Sequence, residues 1–569
     1  MIRKQSVFAG VGAAHLPGKQ GMLNALREKG YTVKPLTSNQ TQNGQKAKQN
    51  IEDFIAAPVM ETHTTADGFI SLKSFTPLRE FYYNGQKFTV SPNMTNGAYL
   101  TINRFNLYDY LPNEKAISLE RLEHFLFEDI PGDIISKEKI SSPFPGLSVL
   151  NKTKKGDYQK YHIYKTPLEV IVIKFGGPKN YVLDQEKAVF SSIEFKTTTD
   201  RIATFNSSYG KYSVAFPSFN TQDNMLNAGN KHIQGVAGDD YYFLSEAVSQ
   251  DISYIEEDAF EAKYIIDNVY KNLKIETGIS GAFNNSNYKS YESHAQLEAT
   301  PSKSIHLKSI VKDGSYYLLG YIGADKTKAD TYFRSFQFNS INYTTFETTV
   351  DTSLHFSVLT NTKPLFSASY GYEQQKKKHY DAESKQTSYY SKANEQIFVT
   401  RMKFHDLQMY KSIDSLWEEI EPSKSPYVHE HQMQRLKLTN QKKTKAHDGY
   451  TFSYTLTDSL SAKAIRVKHI QKKGVLFTIK SLSDTVAKPS TFVTNFYNTF
   501  KPVDTLMGTS ILNDKTTRFF GALKRDDSIV MDAYNLIKFN KTHTYKLIDF
   551  IQNFEFPRKQ TKDKTPFHS

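Results

Sequence analysis

The 569-residue sequence contains no cysteine and a single tryptophan. Without thiols there are no disulfides, no thiolate zinc sites and no cysteine nucleophile. No stretch approaches the roughly 20 apolar residues of a membrane helix. The longest apolar runs, such as Val170–Ile173, have the length of a strand. Hydrophobic residues are scarce at 38%, but aromatics reach 13%, with 36 Tyr and 39 Phe. Disordered chains are poor in aromatics, whereas aromatic rings fit a pleated, half-buried surface. A β-rich protein is therefore expected, of roughly three to five domains for this length. Net charge is +13, which by itself would attract nucleic acid, phospholipid or a polyanionic glycan. The lysines are spread along the chain, however, and their runs are short, as in Lys376-Lys377-Lys378 and Lys442-Lys443. There is no arginine stripe and no basic-aromatic RNA-recognition motif. Nucleic acid is not the expected partner.

Residues 1–36 read as strand, turn, helix and strand. Ser6 to Gly12 is a short apolar strand entering a glycine turn, and Leu23, Leu26 and the run Ala25 to Lys29 form a helix. Gly30 ends that helix, since glycine accepts the left-handed conformation of a C-cap. Tyr31-Thr32-Val33 restarts a strand. His15 sits where strand hands over to helix, an edge of α/β sheets that commonly faces a ligand crevice. Val11-Gly12-Ala13-Ala14-His15-Leu16-Pro17-Gly18, with Gly21-Met22-Leu23, Leu26 and Gly30-Tyr31, resembles the C-terminal signature of the TraB/GumN family. The resemblance implies a metal-dependent hydrolase or protease with two Gly-x-x-His motifs and a Glu near the first. His15, with Gly12 of its motif, matches the second of them. Only the end of such a domain is present, so the expectation is a truncated protein or one starting at an internal Met. Catalytic zinc usually has three protein ligands. His15 alone is an incomplete site, and this chain is expected to carry no cofactor and no peptidase activity, whereas the full-length family member would use a divalent metal. TraB/GumN proteins with such extensions are generally exported, which implies the bacterial periplasm or cell surface.

Residues 37–60 are a linker, polar throughout Thr37 to Asn50. A repeat of about 143 residues follows. Gly68–Leu72, Lys211–Pro217 and Leu354–Leu359 open three modules, at 61–197, 198–340 and 341–503. Each continues with a second β run (Ala98–Ile102, Tyr241–Leu244, Gln396–Val399) and then a helix. The helices are Ser118–Leu126, Glu257–Leu273 and Ile413–Ile420, the first with apolar residues at three/four spacing. Two long strands and an aromatic-x-Ser/Thr-Ile/Phe segment (Phe190–Ile193, Phe333–Phe336, Tyr497–Phe500) close each module. This order resembles the α+β sandwich of PsbP- or Mog1-like domains, which implies non-catalytic adaptor or envelope modules. Residues 368–394, rich in Tyr, Lys, Ser and Gln, read as an inserted loop. Residues 504–569 turn helical, at Thr516–Leu523, Ile529–Phe539 and Thr544–Phe554, as the start of an α-solenoid or as a docked cap.

His429 and His431 alternate as on a strand and would share one face, but they are not a His-Glu-x-x-His pair. Asn93-Met94-Thr95 fits the N-glycosylation pattern. The expected fold class is thus α+β: three tandem antiparallel-sheet-plus-helix modules after a β-α-β remnant and before a helical segment. The expected role is binding or scaffolding of a protein or other envelope macromolecule. The alternative is a metal-dependent peptidase that is active only with the missing half supplied.

Overall fold

A computed structural model describes residues 10–11, 15–16, 21–34, 59–83, 86–107, 132–223, 230–298, 300–312, 314–341, 343, 345–368, 382–422, 436–446, 449–525, 528–530, 533 and 535–553. The expected strand from Ser6 to Gly12, apart from Gly10 and Val11, the helix Ser118–Leu126 and the pair His429/His431 lie outside them. Helix α1 (Met22–Glu28) ends as the sequence predicts. Gly30 has φ +82°, its N–H donates to the Arg27 carbonyl, and the Tyr31 N–H donates to the Leu26 carbonyl. That double bond pattern is the Schellman motif. The strand expected at Tyr31–Val33 does not form. A strand needs a neighbour, and no described residue pairs with this segment.

Three large antiparallel sheets follow, each with a small one beside it. The first unit contains β1 (Glu61–Thr64), β2 (Ile70–Ser74), β3 (Arg79–Tyr83), β4 (Gln86–Pro92), β5 (Tyr99–Asn106), β6 (Asp133–Ile140), β7 (Gly146–Lys152), β8 (Tyr158–Lys165), β9 (Glu169–Gly177), α2 (Lys179–Phe190) and β10 (Glu194–Phe195). The second contains β11 (Ile202–Asn206), β12 (Tyr212–Pro217), β13 (Asn220–Asp223), β14 (Lys231–Ala237), β15 (Asp240–Val248), α3 (Asp258–Asn272), β16 (Ser280–Asn285), β17 (Lys289–Gln296), β18 (Ser304–Lys312), β19 (Ser315–Gly323), α4 (Lys326–Ser335) and β20 (Gln337–Phe338). The third contains β21 (Glu347–Asp351), β22 (Phe356–Thr360), β23 (Pro364–Ala368), β24 (Glu383–Tyr390), β25 (Gln396–Lys403), α5 (Ile413–Ile420), β26 (Lys437–Ala446), β27 (Gly449–Thr457), β28 (Lys463–Lys472), β29 (Val475–Asp484), α6 (Thr491–Thr499) and β30 (Lys501–Pro502). Each large sheet has seven strands, and in the first the order is β3-β4-β5-β9-β8-β7-β6. The sheets β13-β14-β15-β19-β18-β17-β16 and β23-β24-β25-β29-β28-β27-β26 repeat that order.

The aromatic-x-Ser/Thr segments join the two sheets of each unit in one way. Ser192, Ser335 and Thr499 lie at or just beyond the ends of α2, α4 and α6. Each hydroxyl donates back to a helical carbonyl, at 2.6–2.7 Å. Each also accepts a strand N–H: from Lys73 at 2.8 Å, Ala215 at 2.9 Å and Leu359 at 2.8 Å. The contacts continue the ladders in which β10, β20 and β30 pair with β2, β12 and β22. A side-chain oxygen thus stands in for a carbonyl where the helix leaves the ladder.

A second correspondence is buried charge on the third strand of each large sheet, β5, β15 and β25. Leu100 and Ile102, Tyr242 and Leu244, and Ile397 and Val399 all face a core. Two residues further on stand Arg104, Glu246 and Arg401. Arg104 pairs with Asp67 of the β1–β2 turn and with Glu169, both at 2.7 Å. Burial alone would raise the Asp67 carboxyl, but Arg104 and bonds from Thr65 and Phe69 outweigh it and hold the group low. Glu246 pairs with Lys211, just before β12, at 2.8 Å. The signs are reversed between the two units. Arg401 instead donates to Glu383 at 2.9 Å and to the Leu506 carbonyl at 2.7 Å.

Residues 383–390 form β24 rather than part of an inserted loop, and pair with β25 along their whole length. Thr387 and Tyr389 point into the core, while the outer half, Glu383–Gln386, is polar. The C-terminal segment folds back instead of extending. Helices α7 (Thr516–Lys524) and α8 (Thr544–Asn553) flank two 3₁₀ turns, Ser528–Val530 and Lys541–His543. Of the expected α-helix over Ile529–Phe539, the described residues form only a 3₁₀ turn at Ile529–Val530. Phe519, Phe520, Ile529, Ile537 and Phe550 cluster on Leu407 and Met409 of the third unit, so the segment is docked as a cap.

Candidate functional site

His15 is exposed, and Gly12 lies outside the described residues. Among the described residues no three His, Asp or Glu side chains gather as metal ligands. One exposed imidazole falls short of the three protein ligands usual for a catalytic zinc and does not fit such a metal. Asn93 is buried, with its amide donating to the Tyr181 hydroxyl at 3.1 Å and its carbonyl held by Thr95. The folded chain therefore presents no free Asn93 amide for glycosylation.

A cleft of about 530 Å³ lies beside the start of α4, and Asp200, Asp240, Asp325, Tyr242 and Lys328 are among the residues that line it. Asp240 accepts from the Tyr321 hydroxyl at 3.0 Å and from Lys328 at 2.6 Å. Gly323 makes this approach feasible: a Cβ there would lie 2.1 Å from the Tyr321 hydroxyl and 2.3 Å from Asp240. Burial, with Asp240 and Asp325 nearby, pushes the Tyr242 phenol up to about 12. Asp325 caps α4 through the Thr327 N–H at 2.8 Å. Both oxygens of Asp240 are thus engaged, which makes it a brace between sheet and helix rather than a base.

Behind Tyr321, His306 and His294 stack with ring centroids 5.4 Å apart. Burial and the His294 neighbour both hold His306 below its ordinary value. These imidazoles bond to Ser304 and Ser280, and Ser280 lies on the outermost strand, β16.

The outer strands are the other distinctive surface. Among the described residues, β6, β16 and β26 each end a seven-stranded sheet and pair with another strand on one side only. Their side chains are exposed on both faces: six of eight residues in β6, all six in β16, and eight of ten in β26. β6 carries Asp133, Lys137, Glu138 and Lys139, and β26 carries Lys437, Lys442, Lys443 and Lys445. Both also have an irregular register, between Ile134 and Ser136 and between Thr439 and Lys442. Lysines and bulges are the usual means of blunting a sheet edge. β16, Ser280-Gly281-Ala282-Phe283-Asn284-Asn285, has neither. In β16 nothing in the amino-acid pattern marks an edge, because edge position follows from strand order.

Compared with known proteins, residues 1–35 match the TraB/PrgY/gumN family, a region that includes His15 and none of the sheets. No curated protein matches the chain. Among solved structures, the apo structure of immunity protein TplEi of T6SS from Pseudomonas aeruginosa is similar at 8% identity, covering 49% of this chain and 97% of that chain. Its TM-score is 0.15, too low to carry a statement about this chain.

Proposed function

We propose that this chain is a non-catalytic binding and scaffold portion of a TraB/GumN-like bacterial cell-envelope protein, in the periplasm or at the cell surface. Its three units are read as tandem copies of one α+β module, of the PsbP- or Mog1-like pattern. Its partner is read as a protein or another envelope macromolecule. The supporting observation is that three sheets of one strand order each end in a strand exposed on both faces. An exposed edge offers a row of unpaired N–H and C=O groups, and strand addition there is a recurring mode of peptide recognition. No helix among the described residues is long and apolar enough to cross a membrane.

The test is capture from an envelope extract, with the captured protein identified and then re-bound in purified form. The expected result is binding by the wild-type chain that weakens when β6, β16 or β26 is altered in turn. Binding indifferent to all three edges overturns the reading. The match at residues 1–35 favours the second reading, a metal-dependent hydrolase completed by a separate N-terminal half. Zinc or manganese titration of the wild type against His15→Ala separates the two. Equal metal binding removes the hydrolase reading, while His15-dependent metal binding together with peptide hydrolysis supports it.

A further inference from the structure

We propose that β16 pairs antiparallel with β16 of a second copy of this chain, across a two-fold axis, so that the two second-unit sheets become continuous. The inference rests on reading the sheet edges as docking sites, and it names the occupant of one of them.

β6 and β26 have charges and an irregular register, whereas β16 pairs with β17 without a break from Ser280↔His294 to Asn285↔Lys289. Residues 276–287 are all exposed, and Glu276 is the one charged residue among them. An exposed, regular, uncharged edge is a template for another strand. Self-pairing sets each side chain against one from the same strand. In β26 that would oppose lysine to lysine, and like charges directly opposite are destabilising. β16 pays no such cost. Neutrality also favours a second copy over a charged partner, since β16 offers no charge for such a partner to match.

The apolar residues suit a two-fold pairing. Ile279 and Phe283 alternate onto the α3 face and are 42% and 45% exposed. Gly281 lies between them. Within the sheet the Tyr291 ring already lies against Gly281, where a Cβ would be 2.2 Å from the Tyr291 hydroxyl. A register centred on Ala282 places Phe283 of each copy against Gly281 of the other, repeating that aromatic-on-glycine contact. It also sets Ser280 opposite Asn284, a pair able to hydrogen-bond across strands.

The test is sedimentation equilibrium of the full chain. The wild type is expected to have twice the monomer mass at about 10 μM, a concentration well above a submicromolar Kd. Ala282→Lys, at an exposed position, brings two lysines together at the axis and is expected to weaken association about 100-fold. Thermal unfolding of the variant checks that it folds, and Phe283→Lys provides an independent second variant. Lys443→Ala on β26 is expected to leave the mass unchanged. A wild type that stays monomeric at about 100 μM, or an Ala282→Lys variant that folds and still dimerises, overturns the proposal. A monomer that still binds an envelope protein through β6 or β26 overturns this inference and leaves the scaffold reading standing.

Discussion

The two joints between successive units are built from opposite materials. The first is a shared apolar core. Phe219 of the second unit lies 5.4 Å from Phe69 and 6.2 Å from Phe144 of the first, and one buried cluster spans both units. The second joint is largely polar. Asp258, at the start of α3, accepts from the Ser461 hydroxyl and the Ala462 N–H, both at 2.7 Å. Lys463 meets Glu261, which also accepts from the Tyr316 hydroxyl at 2.8 Å. Asp484 accepts from the Tyr288 hydroxyl at 2.5 Å. Among the described residues, only Ile252 and Ile255 reach from the second unit into the apolar cluster of the third. Apolar burial is non-directional and tolerates adjustment, whereas buried polar groups must each be satisfied. The first joint should therefore be the stronger and the second the more exacting.

Phe219→Ala should have the largest effect, about 3–5 kcal/mol, from lost transfer energy and the cavity left behind. Hydrogen exchange should show the first and second units losing protection together. Loss confined to the second unit would refute the shared core. Lys463→Met should cost about 2–3 kcal/mol, because it strands the Glu261 carboxylate in a mostly buried site. The double variant Lys463→Met/Glu261→Leu should recover much of that in urea unfolding, and no recovery would mean the ion pair does not define the joint. Ser335→Ala should cost about 1 kcal/mol, the usual worth of one hydrogen bond. Ser192→Ala and Thr499→Val should match it if the three hydroxyls act alike.

The smallest effect is a difference in acid response. Burial raises the Asp258 carboxyl above 3.8 despite its bonds to Ala462 and Ser461. Its stabilising contribution is then full below 3.8 and is lost as pH rises through the folded value. Wild type should therefore gain on Asp258→Asn as pH falls through that window. Asp67 is held low, so its contribution is present above 3.8 and lost as pH falls through its folded value. Asp67→Asn should lose least against wild type in strong acid. Thermal melts between pH 3 and pH 7 that showed the same trend for both variants would contradict these assignments.

Much of the β framework was legible in the sequence because aromatic and β-branched residues alternate there. Phe69 immediately precedes β2, and Tyr212 and Phe356 are the first residues of β12 and β22. The aromatic-x-Ser/Thr segments were legible as a recurring pattern. Their hydroxyls' contacts were not, since the strand N–H they meet is 119 to 140 residues away. β24 was hidden because only Thr387 and Tyr389 carry its burial signal. Arg104, Glu246 and Arg401 look like ordinary charged residues until strand register aligns them. The edge character of β16 depends on which strand comes last in a sheet, which no local pattern encodes. His15 was noticed through family likeness, and its surroundings in the described structure add no second ligand.

The reversed pair on β5 and β15 bears on which hairpin fits which sheet. Tandem units of one topology risk exchanging equivalent hairpins while they fold, a common failure in multidomain and repeat proteins. If the β1–β2 hairpin docked on the second large sheet, Asp67 would meet Glu246. If the β11–β12 hairpin docked on the first, Lys211 would meet Arg104. Each exchange would bury two like charges together, whereas each correct docking joins opposite ones. The reversal therefore sets an electrostatic penalty on either exchange that neither correct docking carries.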